Sequence, residues 1–260
     1  MTGRLGMGLP DAEKNNRFDE SEWKLRLDVA ACYRLMAHFG WDDLIYTHIT
    51  CRLTDGPSDF LINPFGMMFD EITASSLVRI DLDGNKVEHS DWPVNPAGFV
   101  IHSAIHQVRE DVRCVLHAHT VATVAVSALE CGLLPLSQHA MLLFQRVAYH
   151  DYEGISVNKG ERQRLQKDMG QNNVMFLRNH GVLVAGATVA EAFQNFYFLQ
   201  KACEIQLKAM GCGTPIVQIQ PEVEQVVINQ YQEANLGRGA ELAWPGLLRR
   251  LDRIDPSWRE

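Results

Sequence analysis

The segment Val112 to Thr120, V-R-C-V-L-H-A-H-T, constrains this chain more than any other. Its run of β-branched and apolar residues predicts a buried strand. Side chains alternate between the faces of a strand, so His117 and His119 project the same way. Residues two apart on a strand lie about 6–7 Å apart at Cα, and imidazoles at that spacing can converge on one ion. Thr120 has the character of an N-cap for a following helix. A strand that ends in two histidines and runs into a helix N-terminus is a place where α/β folds build sites.

The flanking pattern predicts helices packed on a sheet. Residues 1–20 read as a flexible N-terminal arm, and residues 21–260 as a single domain with a helical C-terminal tail. Asp19 with Glu22 starts a helix whose inner face is Leu25, Val29, Cys32, Met36 and Phe39, stopped by Gly40. Ile45 to Leu53 is β-rich, and Asp55-Gly56-Pro57-Ser58 is a turn. Phe60-Leu61-Ile62 is a short strand followed by the turn Asn63-Pro64-Phe65-Gly66. A short helix is expected over Thr73–Leu77, then a strand over 78–82 and a hairpin through Asp83-Gly84 to Lys86-Val87-Glu88. Asn95 and Pro96 suit the start of a helix to about Val108. Asn158 with Glu161 caps a polar helix ending at Gly170. Val174–Leu177 and Val182–Ala185 form hairpin-like neighbours around Arg178-Asn179-His180-Gly181. Thr188 and Glu191 box the start of the longest helix, about Val189 to Met210, stopped by Gly211.

Strands therefore occur both as hairpins and between helices. The expected fold class is a three-layer α/β/α arrangement, a central mainly antiparallel or mixed sheet flanked by helices. No GxGxxG or P-loop follows a strand, so a nucleotide fold has no support. A formal net charge of −8 argues against nucleic acid or an anionic membrane as partner. No apolar run approaches the roughly 18 residues of a membrane span, and the first residues lack a targeting pattern. The six cysteines are scattered without a CxxC and read as reduced thiols of a cytoplasmic protein.

Three stretches carry a family resemblance: F-L-I-N-P-F-G-M-M-F-D-E-I-T-A-S-S-L-V from Phe60, V-L-H-A-H-T from Val115 and L-R-N-H-G-V-L-V-A-G from Leu177. In this order they resemble the class II aldolase and adducin family, over roughly Trp23 to Met210. The run from Asp42 to Asp83 is closer to the adducin head-domain branch than to the sugar-phosphate aldolases. The resemblance implies a mainly antiparallel sheet between helices and a homotetramer with sites at subunit interfaces. It also implies a divalent metal, zinc first and iron or manganese as alternatives, on His117, His119 and His180. The residues themselves agree: His180 sits at a strand end beside a glycine, where backbone can approach closely. Three imidazoles leave a coordination position open, the pattern of a catalytic site.

The departures from the sugar-phosphate aldolases are as informative. By the family's spacing, His102 lies fifteen residues before His117, which puts Gly98 at the position of the catalytic glutamate and Pro96 and Ala97 on the preceding serine pair. The family's first phosphate loop appears as Thr47-His48-Ile49-Thr50, and the second has Phe65 at its serine position. A phosphate needs several N–H and hydroxyl donors, and most are gone. A phosphorylated sugar is therefore not the expected substrate. His48, His139, Glu71 and Tyr149 are the candidates for an acid or base, and the sequence selects none of them. Asn179 and His102 are candidates to orient the metal ligands. His102 and His106, four apart on a helix, read as packing or hydrogen bonding beneath the site. Asp252, Arg253 and Asp255 read as a solvated helix face.

Two functions compete. The first is a metal-dependent lyase-like enzyme on a small hydroxy-carbonyl or carboxylate compound, working through a stabilised enolate by aldol cleavage or decarboxylation, with an Fe(II) oxygenase as a variant on the same fold. The second is a non-catalytic, adducin-like binding or assembly module.

Overall fold

Alternation along the strands determines how the layers stack. The computed structural model describes residues 17–53, 59–143, 146–154, 159–233 and 238–260. The strands β1 (His48–Arg52), β2 (Phe60–Ile62), β3 (Val78–Ile80), β4 (Cys114–Ala118), β5 (Val147–His150), β6 (Val174–Leu177) and β7 (Gly181–Gly186) form one seven-stranded sheet in the order β3-β2-β1-β4-β7-β6-β5. Every neighbouring pair is antiparallel except β5–β6, so the sheet is mixed and mainly antiparallel, as the sequence predicts.

On one face, Ile49, Cys51, Cys114, Leu116, Phe176 and Val184 pack against α1 (Glu20–His38), α3 (Val121–Ser127), α6 (Val189–Gly211) and α8 (Gly239–Ile254). On the other, Val115, Met175, Leu183 and Ala185 pack against α2 (Pro96–Val108) and α5 (Arg162–Met169). Odd and even residues of β4 thus face opposite layers. This places His117 with Val115 on the α2 side, and its register partner His48 on β1 follows it there. The remaining helices are α4 (Gln138–Met141) and α7 (Pro221–Glu233).

Several ends form for the reasons their residues suggest. The Asp19 carboxylate accepts from the Glu22 amide at 2.8 Å, Thr120 from Thr123, and Thr188 from Glu191. Gly40, at φ +68°, ends α1, and the Trp41 amide reaches back to the Met36 carbonyl. The last residues of the expected arm are pinned: Arg17 pairs with Glu88, and Phe18 lies under the Arg26 guanidinium. Residues 1–16, the Asp55–Ser58 turn and Asn158 lie outside the described residues.

Two local expectations change and a third is met in shortened form. Thr73–Leu77 is a turn rather than a helix, because the Ser76 hydroxyl accepts from the Thr73 amide and donates to its carbonyl. The hairpin through Gly84 forms but is short: the Asp81 amide donates to the Asn85 carbonyl and the Val87 amide to the Arg79 carbonyl, around a single Ile80–Lys86 bridge, and the Asp81 carboxylate takes the amides of Asp83 and Asn85 in the turn. The glycine that ends α6 is Gly213, at φ +68°, one residue after the cap Cys212.

Candidate metal centre and its pocket

Two chain segments bring the three histidines together. His117 is on β4 and His119 follows its end. His180 comes from the β6–β7 turn, where Asn179 takes a left-handed backbone at φ 58°. Gly181 makes the approach possible: a Cβ there would stand 2.5 Å from the Ala118 carbonyl oxygen and 2.8 Å from His119 Cδ2. His119 Nε2 lies 2.8 Å from His117 Nε2 and 2.9 Å from His180 Nε2.

The other nitrogens determine what these three can do. His117 Nδ1 donates to the Val182 carbonyl at 2.9 Å, and His119 Nδ1 to the Asp43 carboxylate at 3.1 Å. With the protons on Nδ1, both Nε2 atoms present lone pairs to one another and to His180. Such a cluster is self-repelling when empty and well matched to a cation. Burial, then the neighbouring histidines, holds His117 well below the usual imidazole range, and burial takes His180 down to about 4. The donor set of three imidazoles, two of them oriented from behind, fits a divalent ion that accepts nitrogen ligands.

A cavity of about 330 Å³ opens on this cluster, lined among others by Thr47, His48, Phe65, Gly98, Ile101 and Tyr152. His48 fills the space beside Gly98 and donates from Nε2 to the Gly98 carbonyl at 2.6 Å. Its ring lies 4.1 Å from that of His102, and burial takes its pKa down to about 3. Beneath it, the Thr50 hydroxyl bridges His102 Nδ1 at 2.7 Å and His106 Nε2 at 2.8 Å. The pair four apart on α2 therefore shares a hydroxyl. Burial keeps both neutral at ordinary pH.

The other candidates are placed elsewhere. Glu71 accepts from the Met68 amide in a surface turn. Tyr149 stacks on Phe176, accepts from the Leu133 amide and lies under Arg178. His139, on α4, packs near Phe198. The Asn179 side chain is exposed. Asp252 pairs with Arg259 and Asp255 with Arg34, closing the C-terminal turn rather than facing solvent alone. Two pocket features had no signal in the sequence: Asp43 behind His119, and Tyr152 at the mouth, its ring 6.4 Å from that of His180.

Comparisons with known proteins agree with this architecture. The profile described as "Class II Aldolase and Adducin N-terminal domain" matches residues 27–207. A provisionally named class 2 aldolase protein of Pseudomonas aeruginosa is 47% identical over 252 residues, 96% of this chain and 97% of that one. Rat (Rattus norvegicus) alpha-adducin is 47% identical over 197 residues, 75% of this chain but 27% of that protein. An aldolase II superfamily protein from Pseudomonas syringae superposes with a TM-score of 0.90 at 45% identity, over 95% of this chain and 99% of that one. L-fuculose 1-phosphate aldolase from Glaciozyma antarctica PI12 does so at 0.80 and 26% identity, over 93% of each. The chain belongs to the class II aldolase and adducin N-terminal domain family.

Proposed function

We propose that this chain is a divalent-metal-dependent lyase that cleaves or decarboxylates a small, non-phosphorylated hydroxy-carbonyl or carboxylate compound. One observation carries the reading: three Nε2 atoms converge at the floor of an open pocket. His117, His119 and His180 would hold the ion, zinc before iron or manganese, because the set is all imidazole and the usual iron triad includes a carboxylate. When bound, such an ion polarises a carbonyl oxygen and stabilises the negative charge that develops as an enolate forms. The Val182 carbonyl and the Asp43 carboxylate fix the tautomers of His117 and His119 and make their Nε2 atoms better donors. Gly98 brings no carboxylate to take a proton from carbon. This favours decarboxylation, which breaks a C–C bond without a base to take the hydroxyl proton that aldol cleavage must lose. We further take residues 21–260 as one domain and the protein as a cytoplasmic homotetramer with pockets at subunit interfaces. Six unpaired cysteines suit a reducing compartment.

The likeness to alpha-adducin supports a second reading, a non-catalytic assembly module. Elemental analysis of the purified protein and of His180→Ala separates the two. Near-stoichiometric zinc, iron or manganese that the substitution abolishes is expected. A protein that takes up none of these ions, with or without the substitution, leaves the assembly module standing.

A further inference from the structure

Two buried polar atoms in residues that line the pocket have no partner in the protein: Thr47 Oγ1 and His48 Nδ1. Buried polar groups are nearly always satisfied, so such enclosed atoms in pocket-lining residues are suited to a ligand that reaches them. Their chemistry differs. His48 has committed its Nε2 proton to the Gly98 carbonyl, so Nδ1 can only accept. The Thr47 hydroxyl can donate. It is held on a left-handed backbone, φ 66°, a strained conformation for a β-branched residue.

The mouth has another character. Tyr46 and Tyr152 are 51% and 56% exposed, and the Tyr46 ring lies 6.5 Å from that of Phe65. Trp92 backs this edge against Gly66. No lysine or arginine is among the described residues that line the cavity. Among these described residues a phosphate dianion would find no cationic side chain, whereas an aromatic or branched apolar group would find three rings.

Resting on the metal reading above, we propose that the substrate is a hydroxy-carboxylate with an aromatic or branched apolar tail and no phosphate. Its carboxylate and hydroxyl oxygens face the three histidines. The hydroxyl donates to His48 Nδ1, the Thr47 hydroxyl donates to the carboxylate, and the tail lies among Tyr46, Phe65 and Tyr152. At about 330 Å³ the cavity is at the small end of ligand sites, which suits one ring beyond the chelating head.

Three probes with one chelating head test this: lactate, 3-phenyllactate and 3-phosphoglycerate, which differ only at C3. Their binding is measured by titration calorimetry on full-length protein whose metal content is determined first. 3-Phenyllactate is expected to bind at least about tenfold tighter than lactate, and 3-phosphoglycerate no tighter than lactate. Phe65→Ala and, as a second variant at an exposed position, Tyr152→Ala should each narrow the phenyllactate-to-lactate ratio. A loaded protein that prefers 3-phosphoglycerate, or that shows no gain for the phenyl group, overturns the assignment and leaves the metal reading intact. A protein that takes up no metal overturns both.

Discussion

The imidazole of His48 occupies the space that a side chain at position 98 would need. A Cβ built on Gly98 would stand 2.6–2.8 Å from three atoms of that ring, while the ring donates to the Gly98 carbonyl. A histidine from β1 and a glycine from α2 thus form one unit in the wall of the pocket.

That unit predicts strong coupling. Gly98→Ala forces the ring to move and should cost about 1–3 kcal/mol. His48→Ala removes the obstacle, so the double variant should be more stable than the sum of the single effects by about 1 kcal/mol or more. Urea denaturation of the four proteins measures this. Additive effects would mean that the ring moves aside freely.

The half-exposed Asp43 carboxylate accepts from His119 Nδ1 at 3.1 Å. Asp43→Asn should lower metal affinity by about 10–100-fold while leaving the fold intact. Competition with a chelator of known affinity reads the change, and an unchanged affinity would show that the carboxylate contributes nothing to the ligand.

His106 is buried and uncharged, its pKa pushed down to about 3 by burial and then by the Arg52 charge. The unfolded chain binds a proton there below about pH 6.5, which the folded chain refuses until far lower. Stability should therefore be full above about pH 6.5 and fall as pH drops toward 3. This one histidine accounts for a loss of about 2 kcal/mol at pH 5. His106→Asn should flatten the pH dependence between 7.5 and 5 by that amount, whatever it does to stability at neutral pH. Parallel curves would sink the prediction.

Arg26 is fully buried and binds Glu22, Glu88 and the Leu77 carbonyl, each at 2.7 Å. Arg26→Ala leaves the 5%-exposed Glu22 with Arg79 as its one cationic partner among the described residues and should cost about 3–5 kcal/mol. Thermal unfolding checks it, and a loss below about 1 kcal/mol would place the network with ordinary surface pairs.

The sequence by itself determined the parts with a local cause. Alternation turned His117, on β4, and His119, just past its end, to the same side. Side-chain caps started α1, α3 and α6, and the turn before Gly181 joined β6 to β7. Where a hydroxyl competed with the backbone, as at Ser76, the local signal was misleading. The resemblance named His180 as the third ligand, but only the tertiary structure decided how its ring meets the other two, that Asp43 stands behind one of them 76 residues away, and that His48 takes the volume left by Gly98. It also placed Glu71, His139 and Tyr149 away from the pocket. The reason is physical: periodicity fixes which face of an element a side chain occupies. Which faces then meet depends on strand register and helix seating, and these follow from the packing of the whole sheet.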